Sequence, residues 1–222
     1  MMKPFSRHGV QAPRIPKQLT QQALGAFEDH AQYAQLLLSG HVFTGLAASD
    51  LLFEQVHFRQ VILTQTRLAR LRLFDSRIEK CELSGADWEA ARLRRVEFLG
   101  CRLLGINLIE ASFEDVFFGD CNAEGALLVS STFRAALFER CSFREVSFEG
   151  ADLTGAAFIQ CDLTQADLRG AKLQGADLRS ATINGVQIGT KELQGAVISP
   201  QQAVQVVSLL GINVLEEDEP LV

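Results

Sequence analysis

Residues 151–180 read ADLTG AAFIQ CDLTQ ADLRG AKLQG ADLRS, which is six five-residue units in a row. Each unit has a large apolar residue at its centre and a small residue two places earlier. The same register holds for 32 consecutive units from Phe43 to Ile198, with no insertion and with an apolar centre throughout. This unbroken period of five is the feature that decides the fold.

A period of twenty lies within the period of five. All five cysteines are spaced twenty residues apart, from Cys81 to Cys161, and each stands two residues before a unit centre. A period of five fits neither the helix repeat of 3.6 nor the strand repeat of 2. It requires a chain that turns a corner every five residues, so that four short sides make one coil. Residues i and i+2 of an extended side point the same way, so the centre and the small residue before it both face inward.

These units resemble the pentapeptide repeat, most clearly at residues 151–155, 166–170 and 176–180. The resemblance covers about residues 43–198. It implies an all-β fold, a right-handed quadrilateral β-helix, in which the 32 units make eight coils. Coils stack at about 4.8 Å, the spacing of neighbouring strands. A single coil cannot bury its inward residues, so stability must come from stacking.

Both ends of the solenoid need caps, because an exposed coil end is a sheet edge that invites further pairing. Residues 1–38 are predicted to form an irregular segment and a short capping helix at Leu19–Asp29. Residues 39–198 form the β-helix. Residues 199–222 hold a C-terminal capping or dimerisation helix and an acidic tail.

The C-terminal helix has clear start and stop signals. Ser199 is suited to the N-cap, Pro200 to the first helical position and Gln202 to the capping box, while Gly211 is suited to ending the helix. The apolar stripe of this helix is either a lid on the last coil or a homodimer contact, which the resemblance also suggests, and the two interpretations are compatible. The stripe consists of Ala203, Val206, Val207 and Leu210.

Composition narrows the class of protein. The net charge is −6, whereas a nucleic-acid binder is usually basic. Residues 59–102 carry ten Lys and Arg against six Asp and Glu, and residues 107–152 carry three against nine. No run of eighteen apolar residues is present, so no membrane span is expected, and the start has no apolar run of a secretory signal. Unpaired cysteines favour a reducing, cytoplasmic setting.

Catalytic and metal-binding patterns are weak. A straight column of cysteines about 4.8 Å apart cannot converge on zinc, which needs four tetrahedral ligands. A disulfide between adjacent coils is conceivable on distance, but parallel side chains favour small packing residues. The last histidine is His57, so no histidine base lies in the long body. We therefore expect no enzyme, no cofactor and no metal.

Function is then expected on the outer surface, and arginines form its first feature. Arg72, Arg92, Arg94 and Arg95 map to one side of two adjacent coils. Such a basic patch can bind an acidic protein or a phosphate backbone. The alternative is a solvated surface that Asp75 and Glu97 partly neutralise.

Apolar residues at outward positions form the second feature. They are either an interface, as exposed apolar patches often are, or side chains that a misjudged turn tucks inward. The first group maps to one side and comprises Leu99, Phe117, Leu137 and Ile159. The second maps to another side and comprises Ile109, Leu127 and Val129.

Two functional hypotheses follow. The first is a non-enzymatic scaffold that docks a protein partner on the outer wall. The second follows from similarity to Qnr-type members of the family, which implies a C-terminal dimer and action on type II topoisomerases, in some cases as DNA mimics that change quinolone sensitivity. A DNA mimic requires acidic residues at the same outward position of successive coils. Glu89 and Glu149 share such a position, but Ile109 and Val129 occupy it on the two coils between them. No long insertion loop of the kind that Qnr-type members often carry is present.

Overall fold

A parallel β-solenoid makes up most of the computed structural model, which describes residues 9–209 and 211–212. It makes about seven turns and is followed by one short helix. No helix in this part of the chain is long and apolar enough to cross a membrane. The strands are β1 Thr20–Gln21, β2 Gln32–Ala34, β3 Leu36–Ser39, β4 Ala47–Ser49, β5 Leu52–Glu54, β6 His57–Arg59, β7 Arg67–Ala69, β8 Arg72–Glu79, β9 Arg92–Leu99, β10 Ser112–Gly119, β11 Thr132–Glu139 and β12 Ala157–Ile159, and the helix is α1 Pro200–Leu209.

Every strand pairing joins a residue to the one in the same place on the next coil. Arg72 pairs with Arg92 and Leu73 with Leu93, in parallel, and the register of twenty continues through the later strands. The four eight-residue strands β8–β11 each pass around a corner and so supply two sides of a coil. We name these sides wall A, at residues 72–74 and their equivalents every twenty residues, and wall B, at 77–79. Wall C follows at 82–84 and wall D at 87–89.

The corners are made by residues in the left-handed backbone region. The last residue of a unit takes φ of 47° at Asp75, 51° at Arg95 and 54° at Ala135. Glycine takes the same place at Gly155, with φ of 70°. A non-glycine residue here costs about 1–2 kcal/mol, which the stacked hydrogen bonds on both sides of the corner must offset.

Inward side chains form the predicted columns. The Phe98 and Phe118 rings are 4.4 Å apart at 3°, and the Phe138 and Phe158 rings are 4.7 Å apart at 20°. Each large apolar side chain buried in this way contributes about 1.5–3 kcal/mol. The columns explain why a sequence with no long helix or strand still folds.

The last turn is irregular, and the solenoid is slightly shorter than the eight coils expected. Elsewhere a corner N–H bonds the carbonyl nineteen residues later, as Gly150 N does with Arg169 O at 2.9 Å. At the end of the stack, Gly170 N instead bonds Glu192 Oε1 at 3.0 Å. A side chain thus replaces the backbone of the next coil, because residues 190–195 form turns.

The predicted helix at Leu19–Asp29 is wrong. Thr20–Gln21 pairs as a parallel strand with Leu36–Leu37 instead. Strand pairing satisfies the open backbone edge of the first coil, which a helix would leave unpaired. The following segment places the Phe27 ring 4.3 Å from that of Phe43, so it closes the core. His41 belongs to this cap, and its Nε2 accepts a hydrogen bond from Leu24 N at 3.2 Å.

The C-terminal helix starts with the predicted capping box. Gln202 N donates to Ser199 Oγ at 3.3 Å, and Ser199 N donates to Gln202 Oε1 at 2.8 Å. Gln202 Nε2 also donates to the carbonyls of Leu178 and Ala181, both at 2.7 Å. Gly211 has φ of 76° and ends the helix region. One glutamine therefore joins the helix start to the open end of the solenoid.

Candidate functional site

The inside of the solenoid is filled by side chains. A cavity of 10 Å³ lies among Phe27, Trp88 and neighbouring apolar residues, which is close to the smallest space that holds one water molecule. A substrate therefore has no place inside, and any binding site must lie on the outer walls.

The cysteines belong to the filled interior. All five are buried and free, and Cys101 Sγ donates to Ile78 O at 3.3 Å. The hydrogen bond with Cys101 and the burial of the thiol raise the pKa of Cys81. No group of three His, Cys, Asp or Glu side chains within residues 9–209 and 211–212 could hold a metal ion. Packing of small side chains accounts for the column.

Wall A carries a groove of about 650 Å³, which we call the arginine groove. Arg92 and Arg94 lie on β9, and Arg134 lies on β11 two coils away. Arg72 of the predicted patch is the ladder partner of Arg92, so it flanks the groove. Arg134 was missed by the sequence reasoning, although it stands forty residues after Arg94 in the same column. The other lining residues are Phe74, Leu93, Ser112, Phe113, Glu114, Thr132, Phe133, Asp152 and Thr154.

The charge of the arginine groove is only partly compensated. Arg94 lies 3.6 Å from Glu114, with both side chains about half exposed. The Asp152 carboxylate forms an ion pair with Lys172 at 3.4 Å and accepts a hydrogen bond from the Thr154 hydroxyl at 2.7 Å. In the described part of the chain, no ion pair joins Arg92 or Arg134 to a carboxylate. The groove therefore presents two guanidinium groups that are free to bind an anion.

Arg95 does not belong to this groove, although the sequence placed it in the same patch. It stands at the corner between walls A and B, with its side chain 12% exposed and Nη2 2.5 Å from Asp75 Oδ2. The hydrogen bond from Arg95 lowers the pKa of Asp75 and raises that of Arg95. The other acid proposed to neutralise the patch, Glu97, pairs with Arg77 at 2.7 Å. Asp75 and Glu97 thus pair with Arg95 and Arg77, respectively, and in the described part of the chain neither forms an ion pair with Arg92 or Arg94.

Wall B is covered by the chain itself. Phe117 and Leu137, predicted to face solvent, are 8% and 3% exposed, so this expectation is corrected. The turns were placed correctly, but Val10 packs on Phe117, Leu137 and Ala157 from outside. Leu99 and Ile159 lie half-buried at the edge of this cluster. We call the five wall residues of the cluster the trough.

Residues 10–19, which we call the strap, run along wall B from the trough towards the first coil. Gln11 N donates to Asp115 Oδ1 at 3.0 Å, and Arg14 N donates to Asp75 Oδ1 at 2.9 Å. Arg14 O accepts from Gln55 Nε2 at 3.0 Å. The acid-bearing corners between walls A and B thus hold the strap backbone. The feature of the sequence that indicates a bound segment here is the alternation of charge at one corner of three successive coils, at Asp75, Arg95 and Asp115.

A second groove, of about 710 Å³, separates the strap from wall B near His57 and Arg77. His57 Nε2 is 3.0 Å from Glu79 Oε2, and burial lowers the pKa of His57 although Glu79 opposes the shift. The described residues that line this groove include no Ser, Thr or Cys. The described lining of this groove therefore brings no hydroxyl or thiol to the histidine.

The apolar group on wall D stays open. Leu127 is 40% exposed, and Ile109 and Val129 are half-buried. Asn107 pairs with Leu127 across adjacent coils, so the three side chains share this wall. They form a small apolar area that no other part of the described chain covers.

The C-terminal helix turns part of its apolar stripe towards the solenoid. Val206 is 7% exposed and belongs to the core, whereas Ala203 and Val207 are half-buried. Val204, which the stripe did not include, is 51% exposed. Leu210 and the acidic tail lie outside the described residues. The helix is thus a lid on the last coil that keeps some apolar surface outside.

A family model matches the solenoid. The model of the pentapeptide repeat region matches residues 51–127 and 91–167, which together span more than half of the 222 residues. No curated protein matches the chain.

Three solved structures are among those to which the chain is similar. Full-length QnrB1, a plasmid-mediated fluoroquinolone resistance protein, is 21% identical, with 82% of this chain and 100% of that one covered and a TM-score of 0.40. HetL, involved in heterocyst differentiation regulation in the cyanobacterium Nostoc sp. strain PCC 7120, is 24% identical, with 78% and 92% covered and a TM-score of 0.25. Rfr23 from the cyanobacterium Cyanothece 51142 is 13% identical, with 78% and 91% covered and a TM-score of 0.22. At these identities the likeness carries over no activity or partner.

Proposed function

Because the chain belongs to the pentapeptide-repeat family, we propose that it is a non-enzymatic scaffold that docks a protein partner on the outer wall of its β-helix. The observation that carries the proposal is the arginine groove, with Arg92 and Arg134 unpaired among the described residues. A filled interior leaves the walls as the surfaces that can bind. Wall A combines a concave shape with charge that is only partly compensated among the described residues.

The partner that fits this groove is an acidic, extended protein segment. Arg92 and Arg134 lie two coils apart, which is about 9.6 Å along the stack at the strand spacing. Three residues of an extended chain span about 10 Å, so carboxylates at positions i and i+3 can meet both arginines. The hydroxyls of Ser112 and Thr132 line the floor between them. They can donate hydrogen bonds to the same carboxylates.

Charge in such a groove acts on the rate of encounter as well as on affinity. An exposed ion pair contributes about 0.2–1 kcal/mol, whereas complementary charge raises the association rate strongly at low salt. We therefore expect the complex to weaken as salt rises. Apolar lining residues such as Phe74 supply the part of the binding that salt does not screen.

The test compares two double variants with equal changes in net charge. Arg92→Glu with Arg134→Glu reverses the groove, while Arg59→Glu with Arg67→Glu reverses two exposed arginines on walls B and D. A partner captured by the wild type from a native extract, identified by mass spectrometry, is then purified and its dissociation constant measured. We expect the groove variant to weaken binding by about tenfold and the control to bind as the wild type does. Equal binding by the groove variant would overturn the proposal.

A second candidate is binding to a type II topoisomerase, which the similarity to Qnr-type members implies. The observation in its favour is the C-terminal helix that closes the solenoid, as that similarity predicted. Ile109 and Val129 on wall D argue against a DNA mimic, because they interrupt the acidic column. A DNA gyrase supercoiling assay with and without a quinolone tests it. Neither inhibition nor protection at a large excess of this protein would exclude this candidate.

The same helix is the surface on which we propose a homodimer. Val204 is exposed, and Ala203 and Val207 are half-buried. In a dimer of this kind, Val204→Glu and Val207→Glu should convert the protein to a monomer in sedimentation equilibrium. Gln201→Glu, on the same helix but polar and exposed, is the control. A wild type that sediments as a monomer would refute the dimer.

A further inference from the structure

We propose that the trough on wall B is a docking site for an extended peptide, and that the strap is its built-in competitor. The partner has the chemistry of the strap: an apolar anchor followed by free backbone N–H groups one and four residues later. This site is separate from the arginine groove, so the proposal does not rest on what binds to wall A.

In the part of the chain that the structure describes, the side chain that fills the anchor pocket is the branched, apolar Val10. Val10 is 8% exposed and packs on Phe117, Leu137 and Ala157. Gly119 makes room for the pocket, because a Cβ added there would lie 2.8 Å from the Phe117 ring. Residues in contact with a strap need not be apolar, and the neighbouring coils carry Glu97 and Asp177 at the equivalent place. The apolar cluster is therefore local to the place where Val10 sits.

The backbone contacts set the spacing of the ligand. The hydrogen-bonded N–H groups of Gln11 and Arg14 are three residues apart, which spans about 10 Å in an extended chain. Their acceptors, Asp115 and Asp75, are two coils apart, which is about 9.6 Å. Pro13 lies between the two donors, where it fixes φ and has no N–H to leave unpaired. Any extended chain with this pattern can make the same contacts.

Within the described residues, the strap is held by fewer contacts than the coils of the solenoid are. None of residues 10–19 belongs to a strand, and the next strand begins at Thr20. Several side chains of the strap, including those of Gln11 and Ala12, are exposed. Segments with few buried apolar contacts open at a lower free-energy cost than the core. A competing peptide can therefore displace the strap without unfolding the coils.

The test uses the full chain and a labelled synthetic peptide of residues 9–19. The variant Val10→Asp should free the trough, because a carboxylate in the anchor pocket loses its hydration. A tethered strap has an effective concentration of about 1 mM. For a peptide with a dissociation constant of about 100 μM, the wild type should then bind about tenfold more weakly than Val10→Asp. Fluorescence anisotropy measures both constants.

Two controls separate docking in the trough from other binding. Val10→Asp with Leu137→Glu should lose the peptide, and a peptide that itself carries Val10→Asp should not bind the freed trough. Hydrogen exchange of the wild type should show slower exchange at the Gln11 and Arg14 amides than at Ala12. Circular dichroism of Val10→Asp should match that of the wild type.

Three outcomes would overturn the proposal. The first is equal peptide binding, or none, by the wild type and a folded Val10→Asp variant. The second is exchange at Gln11 and Arg14 as fast as in an unstructured peptide. The third is a wild-type dimer that disappears in Val10→Asp, since this would assign the trough to the strap of a second copy.

Discussion

Walls A and B are built by the same four strands, yet one is open and the other is covered. In β8–β11 the first half of each strand lies on wall A and the second half on wall B, and both follow the same register of twenty. They differ only in their outward side chains. Wall A carries Arg92, Arg94 and Arg134, whereas wall B carries Phe117 and Leu137. The comparison teaches that the repeat determines the shape of a wall, and the outward residues determine what covers it.

The corner between walls A and B contributes to the difference between the open wall and the covered wall. Asp75, Arg95 and Asp115 follow one another along the stack, and both acids accept an N–H of the strap. Arg95 meanwhile binds Asp75. Because acid and base alternate along this corner, it does not present the continuous acidic surface that a DNA mimic requires. Its two acids are instead suited to holding an extended backbone.

The largest expected effect comes from an inward residue beneath both walls. Phe138 stacks on Phe118 and Phe158, so Phe138→Ala should lower the free energy of unfolding by about 3–5 kcal/mol. Urea unfolding measures this. A loss below about 1 kcal/mol would show that the aromatic column does not hold the stack, and the distinction between inward and outward residues would fail.

The next largest effect is expected at Leu137, the outward residue next to Phe138 in the sequence. Leu137→Glu places a carboxylate in the trough, and we expect a loss of about 1–3 kcal/mol together with faster hydrogen exchange in the strap. The matched control is Leu127→Glu on wall D, where the leucine is 40% exposed, and its effect should stay within about 0.5 kcal/mol. Similar losses from both changes would mean that the covered and open walls do not differ energetically.

The corner carboxylate provides a pH dependence. Asp75→Asn leaves the mostly buried Arg95 without its charged partner and should cost about 1–3 kcal/mol at pH 7. The pKa of Asp75 is lowered from its ordinary 3.8, chiefly by the hydrogen bond from Arg95. Its contribution is therefore complete above pH 3.8 and is lost as the pH falls through the lowered pKa. The stability gap between the wild type and Asp75→Asn should close over this range.

The control for this change is a similar pair on the outside. Arg140 binds Asp120 at 2.7 Å, with the Asp120 side chain 61% exposed, so Asp120→Asn should cost less than about 1 kcal/mol. Urea unfolding at a series of pH values compares the two variants. An equal loss from both would remove the special role of the corner.

The smallest effect tests the turn between the walls. Ala135 has φ of 54°, and glycine relieves this strain at the cost of more freedom in the unfolded chain. Ala135→Gly should therefore stabilise the protein by about 0.5 kcal/mol. Ala136→Gly, at a buried inward position, should destabilise it by about 1 kcal/mol. Thermal unfolding compares them, and a destabilised Ala135→Gly would contradict the account of the corners.

Local patterns predicted the solenoid well, because each unit repeats one local rule. The register, the inward columns and the capping box at Ser199 all depend on residues a few places apart or exactly one coil apart. The N-terminal cap was predicted wrongly as a helix, because its strand pairing with Leu36–Leu37 depends on an edge that exists only once the coil has formed. The irregular last turn likewise depends on a contact between Gly170 and Glu192.

The candidate surfaces were predicted in part. Arg92 and Arg94 were found and lie in the arginine groove, while Arg134 was recoverable from the register but missed. Arg95 was assigned to the same patch as Arg92 and Arg94, but it lies at the corner and pairs with Asp75, the acid that the alternative interpretation named. Phe117 and Leu137 were placed on the correct wall, but the strap that covers them comes from about a hundred residues earlier.

The sequence by itself determined the coil, its length of twenty residues and the direction in which each side chain points. It could do so because each of these properties repeats with a fixed period. The tertiary structure alone decided which walls are free. Among the described residues, that depends on the non-repeating segment 10–19, whose position is set by hydrogen bonds to Asp75 and Asp115 and by the packing of Val10. No period in the sequence records those contacts.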